Sequence, residues 1–160
     1  LLNPIHNISK MAYDNNAWWV QAEASLLNSK APAISSTRHF YVSIGKRINA
    51  FTLYATRGYV HGQDDLVQIN APTGYPADIG QQLYGLAFAT EQALNNSRSS
   101  QDSVGLGVRW DFASKMALKL QADKFNIDRY GETLWIKPSN NYVSQKQIAN
   151  VVSLSLDVLF

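Results

Sequence analysis

Apolar and polar residues alternate along most of this chain with a period of two, the period of a strand that turns one face to an apolar environment. The end of the chain shows it most plainly: Val152, Leu154, Leu156, Val158 and Phe160 share one face, and Ser153, Ser155 and Asp157 share the other. Six further strands follow from the same pattern and its turn residues, over 8–13, 17–28, 37–48, 51–61, 103–112 and 117–127. In the second, Trp18, Val20, Ala22, Ala24 and Leu26 oppose Gln21, Glu23 and Ser25. The fifth sets Val104, Leu106, Val108, Trp110 and Phe112 against Ser103, Gly105, Gly107, Arg109 and Asp111.

The connections alternate as regularly as the side chains. Tight turns at Asp14-Asn15-Asn16, Asn49-Ala50 and Ala113-Ser114-Lys115 follow the first, third and fifth strands. The second, fourth and sixth are followed by long connections. The central one, over 62–101, opens as a loop through Asp64-Asp65, Asn70 and the Pro72–Pro76 stretch. It then predicts a helix over about 78–94, capped by Asp78 and ended by Asn95-Asn96-Ser97, with Gly80 and Gly85 as weak points. Ile79, Leu83, Leu86 and Ala87 have helical spacing, so this face is expected to pack into or onto the sheet's rim.

Composition narrows the environment. Hydrophobic residues make up 46% of the chain but are dispersed, so no run approaches the ~20 apolar residues of a membrane-crossing helix. Strands of about ten tilted residues cross a bilayer without such a run, apolar outside and polar inside. A soluble antiparallel sheet also alternates, which keeps a soluble β-barrel binding protein open. The sorting of short turns to one end and long loops to the other is the habit of outer-membrane barrels, whose short turns are periplasmic. With the final Phe160, it favours an antiparallel transmembrane β-barrel with one short helix in a long extracellular loop. A net charge of +2 makes no case for nucleic acid, and the absence of Cys removes disulfides without choosing a compartment.

Bacterial barrels have an even strand number, and counting back from a periplasmic end makes the first visible strand a descending one. Residues 1–160 are therefore expected to form a single C-terminal portion, about seven strands, of a larger barrel with N-terminal strands missing. The opening Leu1-Leu-Asn-Pro-Ile, without Met or a signal-like region, fits a processed chain or a piece of a longer one.

The segments Ser103-Val-Gly-Leu-Gly-Val-Arg-Trp-Asp-Phe112, Ala117-Leu-Lys-Leu-Gln-Ala-Asp-Lys-Phe125 and Asn150-Val-Val-Ser-Leu-Ser-Leu-Asp-Val-Leu-Phe160 together resemble the C-terminal end of Gram-negative outer-membrane porin-like proteins. Tyr13-Asp-Asn and Trp19-Val-Gln-Ala-Glu23 are similar to an upstream hairpin of the same group. The resemblance implies a bacterial outer-membrane location and passive diffusion of small solutes or ions, with neither enzyme chemistry nor a cofactor. It implies three partners: outer-membrane lipids, solutes or ions, and a barrel-assembly machinery. That machinery would read Val152, Leu154, Leu156, Val158 and Phe160. A homo-oligomer is compatible with it. The long loops lie outside the resemblance, so the solute is not implied. A non-porin barrel, either an adhesion or assembly protein or a rim-site lipase-type enzyme, is the alternative.

Glu23, Arg109, Asp111, Lys119, Gln121, Asp123 and Asp157 lie on the polar faces and are the candidate pore lining. Two roles compete for them: pairing with one another across strands, or lining an aqueous path and biasing which ions pass. Arg109 and Lys119 favour anions unless Asp111, Asp123 and Asp157 neutralise them. Gly45, Gly105 and Gly107 on the same faces leave room for water or for a plug. Trp18, Trp110, Phe112 and Phe160 form a candidate aromatic girdle at the membrane boundary, whereas Trp19 faces inward. His6, His39 and His61 share no metal-ligand spacing, and no metal site is expected. His39 and His61 remain the residues a rim-site enzyme would use.

Overall fold

The computed structural model describes residues 5–29, 35–132, 135 and 145–159. It is all-β apart from one helix: β1 (Ile5–Asp14), β2 (Trp18–Asn28), β3 (Thr37–Ile48), β4 (Phe51–Gly62), α1 (Ala77–Asn96), β5 (Ser99–Ala113), β6 (Met116–Glu132) and β7 (Gln147–Val158). The seven strands form one sheet in sequence order, every neighbouring pair antiparallel. Trp19 on β2 and Asp157 on β7 line the same cavity. A flat sheet would hold those strands about 24 Å apart, five spacings of ~4.8 Å. The sheet is therefore curled, with one concave and one convex face.

The tight turns explain the register. Asn15 Oδ1 accepts the Trp18 amide at 2.7 Å, Asp14 Oδ1 accepts the Asn16 amide at 2.9 Å, and Asn16 takes φ 68°. Asn49, at φ 54°, opens the two-residue turn that pairs Ile48 with Phe51. Asn tolerates the left-handed region better than other side-chain-bearing residues, which is why these positions read as turns.

Burial is inverted relative to a soluble domain. The buried hydrophobic side chains among the described residues are only Ala87, Ala117, Ile127 and Tyr130. On the convex face Val152 is 74% exposed and Leu106 and Leu154 are each 67% exposed. A soluble chain of this length would bury roughly two-thirds of its unfolded surface with such residues inside. Here they form a continuous stripe outside.

Several bounds differ from the sequence reading. β1 starts three residues earlier than expected, β5 starts at Ser99, and β6 runs on to Glu132. Ser99–Asp102 and Asp128–Glu132 are polar and carry no alternation. They stay in the sheet because their backbone groups pair, with a register shift between Ser99 and Gln101. α1 also corrects an expectation: Pro76 is the N-cap, with no side-chain cap hydrogen bond, and Asp78 lies in the first turn. There its charge meets the positive end of the helix dipole.

Only part of the face that its apolar spacing suggested packs: Leu83 is half-buried and Ala87 buried. Ile79 and Leu86 stay exposed, while Asn95 is buried and the helix rests against β6. Polar pins decide the docking. The Asn95 side chain accepts from the Val67 amide and donates to the Val67 carbonyl, both at 2.9 Å, imitating a strand partner. One turn earlier, Glu91 accepts the Ile69 amide at 3.0 Å. Residues i and i+4 share a helix face, so the two together hold the preceding loop along the helix.

A second pin closes the base of that loop. Asp64 accepts hydrogen bonds from the Ser36 amide and the Ser35 hydroxyl, and Arg98 donates to the carbonyls of Asp64 and Asp65. Burial pushes the Asp64 carboxyl up, but the bonds from Ser36 and Ser35 and the charge of Arg98 leave it below its ordinary value. A lowered carboxylate stabilises fully above its unfolded pKa and loses that contribution as pH falls through the folded one. Asp64→Ala should therefore speed proteolysis within 63–76 at neutral pH, with the wild type approaching the variant in acid. Equal cleavage at both pH values would mean that the α1 pins alone hold the loop.

Candidate functional site

The concave face is the polar one. Glu23, Arg109, Asp111, Lys119, Gln121, Asp123 and Asp157 all fall on it, and a cavity of about 610 Å³ there is lined by Arg109, Asp111, Lys119, Gln121 and Asp157 among others. Glu23 and Asp123 lie outside that cavity. Glu23 bonds Lys10 at 3.1 Å and lines a second hollow of about 350 Å³ nearer the long loops.

Cross-strand register builds the cavity in rows. Gly45 stands opposite Trp19, and Gly107 opposite both Tyr54 and Gln121. One step toward the tight turns, Arg47, Thr52, Arg109, Lys119 and Ser155 are successive partners. Three cations thus share one row. Arg47 and its partner Asp14 were not among the sequence candidates. The alternation of β3 continues past Gly45 to Arg47, and that parity was the available signal.

The cations are not equivalent. Arg47 holds Asp14 through both terminal nitrogens, at 2.7 and 2.8 Å. Arg109 holds two carboxylates, Asp111 through Nε and Asp157 through Nη1, each at 2.9 Å. Lys119 makes no ion pair among the described residues; its Nζ sits 5.3 Å from the centroid of the Tyr54 ring. Tyr54 in turn donates to Gln121 Oε1 at 2.8 Å, and Gln121 Nε2 donates to both oxygens of Asp123 at 2.8 Å. Pairing across strands and lining of the hollow are therefore combined in the same residues.

The glycines do not leave open room. A Cβ at Gly45 would fall on the Trp19 indole, at Gly107 on the Tyr54 phenol, and at Gly105 on the Asp123 carboxylate. Each glycine lets a side chain of a neighbouring strand lie across the wall, an aromatic ring at Gly45 and Gly107. This is aromatic covering of a strand glycine, and it places Trp19 and Tyr54 in the cavity with ring centroids 6.4 Å apart.

On the convex face, Trp18, Trp110 and Phe112 lie near the tight turns. Phe51 stacks on Trp110 at 5.8 Å, Trp110 meets Phe112 at 5.4 Å, and Lys46 Nζ lies 5.1 Å from the Trp18 ring centroid. Phe40 and Tyr59 stack at 5.7 Å toward the opposite rim. Val152, Leu154, Leu156 and Val158 share the convex face of β7; Phe160 lies outside the described residues.

The histidines separate. His39 faces the concave side, 2.7 Å from the Thr37 hydroxyl. His61 stands at the convex rim, 3.6 Å from Asp102 and 3.5 Å from the Ser100 hydroxyl. A nucleophilic Ser must pass its proton to the His. The Ser100 hydroxyl instead points to Asp128 at 3.1 Å, and Asp102 is shared with Arg57 at 2.9 Å. No cluster of three metal-ligating side chains occurs among the described residues. Nor is any described helix long and apolar enough to cross a membrane, which says nothing of strands. Compared with known proteins, the chain matches no family model, no curated protein and no solved structure.

Proposed function

We propose that this sheet is part of the wall of a bacterial outer-membrane β-barrel through which small solutes or ions diffuse passively. The observation that carries the reading is the inversion of its faces: large apolar side chains exposed on the convex side, and a hydrogen-bonded polar network on the concave side. Hydrocarbon satisfies the first, and lumen water satisfies the second. The apolar side chains of β5 run from Val104 to Phe112. At ~3.3 Å per residue and a tilt of ~40° they span about 20 Å of bilayer depth, near the ~25 Å band of such barrels.

Closure follows from strand direction. With every neighbouring pair antiparallel, β1 and β7 run the same way, so pairing them directly would make a parallel seam. An all-antiparallel barrel needs an odd number of further strands between them, supplied by more polypeptide; an equally oriented second copy would only repeat the parallel seam. The further strands satisfy edge groups that hydrocarbon cannot.

The test is single-channel conductance of the full-length protein in planar bilayers, beside its gel migration before and after heating. Stepwise ohmic currents and heat-dependent migration are the expected result. Neither, with solubility in detergent-free buffer, would sink the reading. Selectivity is expected to be weak, since the row charges cancel: Arg47 is matched by Asp14, and Arg109 with Lys119 by Asp111 with Asp157. Lys119→Glu breaks that balance. It should shift the reversal potential toward cations, by an amount that shrinks as salt shortens the Debye length from ~30 Å at 0.01 M to ~3 Å at 1 M.

A further inference from the structure

We infer that the cavity around Trp19, Tyr41 and the Arg47–Arg109–Lys119 row is a binding station for a neutral, polyhydroxylated solute of mono- or disaccharide size. This rests on the pore reading above, for which it names the solute class.

Charge balance is the first reason. The row and its partners sum to zero, and all of these charges except Asp14, which Arg47 holds, line the cavity as donors or acceptors. An anion attracted to Lys119 meets Asp111 and Asp157 in the same hollow. A cation attracted to those acids meets Arg47, Arg109 and Lys119. Each leaves groups of the wrong kind facing it, and such mismatch rejects a ligand more strongly than a lost contact. A sugar hydroxyl both donates and accepts, so it suits either neighbour. Thr52 and Ser155, partners within the same row, add hydroxyls of the same dual character.

Aromatic surface is the second reason. A pyranose presents C–H groups on one side of its ring and hydroxyls around the edge. Trp19 is held across Gly45 and half-exposed, and Tyr41 is 41% exposed on the same concave face. Tyr54 is less available, since Lys119 covers its ring and Gln121 takes its hydroxyl. Flat aromatic faces beside charged hydrogen-bonding groups suit a ring that is apolar on one side and polar at its rim. Size agrees as well, because about 610 Å³ admits one or two sugar rings beside water.

The experiment measures block of ion current through the full-length protein in planar bilayers. Maltose serves as the neutral probe, gluconate as the anion and glycine betaine as the zwitterion. Maltose should block saturably and at lower concentration than the other two. Trp19→Ala should raise the half-blocking concentration about tenfold, the scale of one lost aromatic contact. Trp19→Phe should keep most of the block. Tyr41→Ala should weaken it too and, having an exposed side chain, should still fold. Stronger block by gluconate or betaine overturns the inference, as does a conducting protein that maltose leaves unblocked or that loses nothing in both alanine variants. If no current is seen at all, the pore reading fails. Maltose titration of the indole fluorescence in detergent micelles then decides the station alone: a change lost in Trp19→Phe supports it, and no change overturns it.

Discussion

Leu106→Arg and Leu154→Arg should each destabilise the folded protein in detergent or lipid by about 2–4 kcal/mol, the cost of an Arg near the middle of a bilayer. Both residues point out from the convex face and both are 67% exposed. In water, an exposed Leu replaced by Arg would change stability by no more than ~0.5 kcal/mol, so the size of the loss reports the solvent. Leu106 is two register steps from Trp110 along β5, and Leu154 pairs with Leu120 one step from the girdle level. The deeper Leu106 should cost more. Ser155→Arg, on the concave side of β7, is the matched control and should be nearly neutral. Gln121 is not a suitable control, because it links Tyr54 to Asp123. Urea titration of the refolded protein in lipid vesicles measures all three. Equal small effects on both faces would exclude hydrocarbon around the convex stripe.

Gly45→Val and Gly107→Val should each cost about 1–3 kcal/mol by overpacking, since the added side chain enters space held by a neighbouring strand's ring. Gly45 lies under the Trp19 indole and Gly107 under the Tyr54 phenol. The functional consequence differs between them. Displacing Tyr54 releases both Gln121 and the ring beneath Lys119, so Gly107→Val should alter ion selectivity as well as stability. Displacing Trp19 should act on solute block instead. Gly85 gives the opposite sign: nothing lies within contact of a Cβ there, and it sits inside α1. Gly85→Ala should stabilise by about 0.5–1 kcal/mol through helix propensity. A wall open enough to absorb a valine at Gly45 and Gly107 would leave stability unchanged, and the covered-glycine arrangement would then be wrong.

What the amino-acid order settled by itself is the part that depends on near neighbours. Period-two alternation placed the seven strands, because side-chain direction flips at every residue whatever the rest of the chain does. β3, at Thr37–Ile48, coincides with its expected range, since Asn49 starts a turn there and Thr37 follows Ser35-Ser36. The face assignments of Trp18, Trp110, Arg109, Lys119 and Asp157 follow from the same parity. What the alternation left undecided is the solvent on each face, and the exposed convex stripe bears on that only through three-dimensional burial.

The rest depended on distances across the sheet, where no local pattern reports. Register set Arg47, Arg109 and Lys119 in one row although 72 residues of sequence separate the first from the last. It also gave two carboxylates to Arg109 and none to Lys119, a division of the neighbouring acids that alternation alone could not assign. Glycines that read as empty space proved to be covered, because a missing side chain is visible in sequence but its neighbour's rotamer is not. The same holds for α1, whose buried side is chosen by the polar pins of Asn95 and Glu91 rather than by Ile79 and Leu86. A hydrogen bond to a distant backbone group needs its partner in place, and only the folded chain provides one.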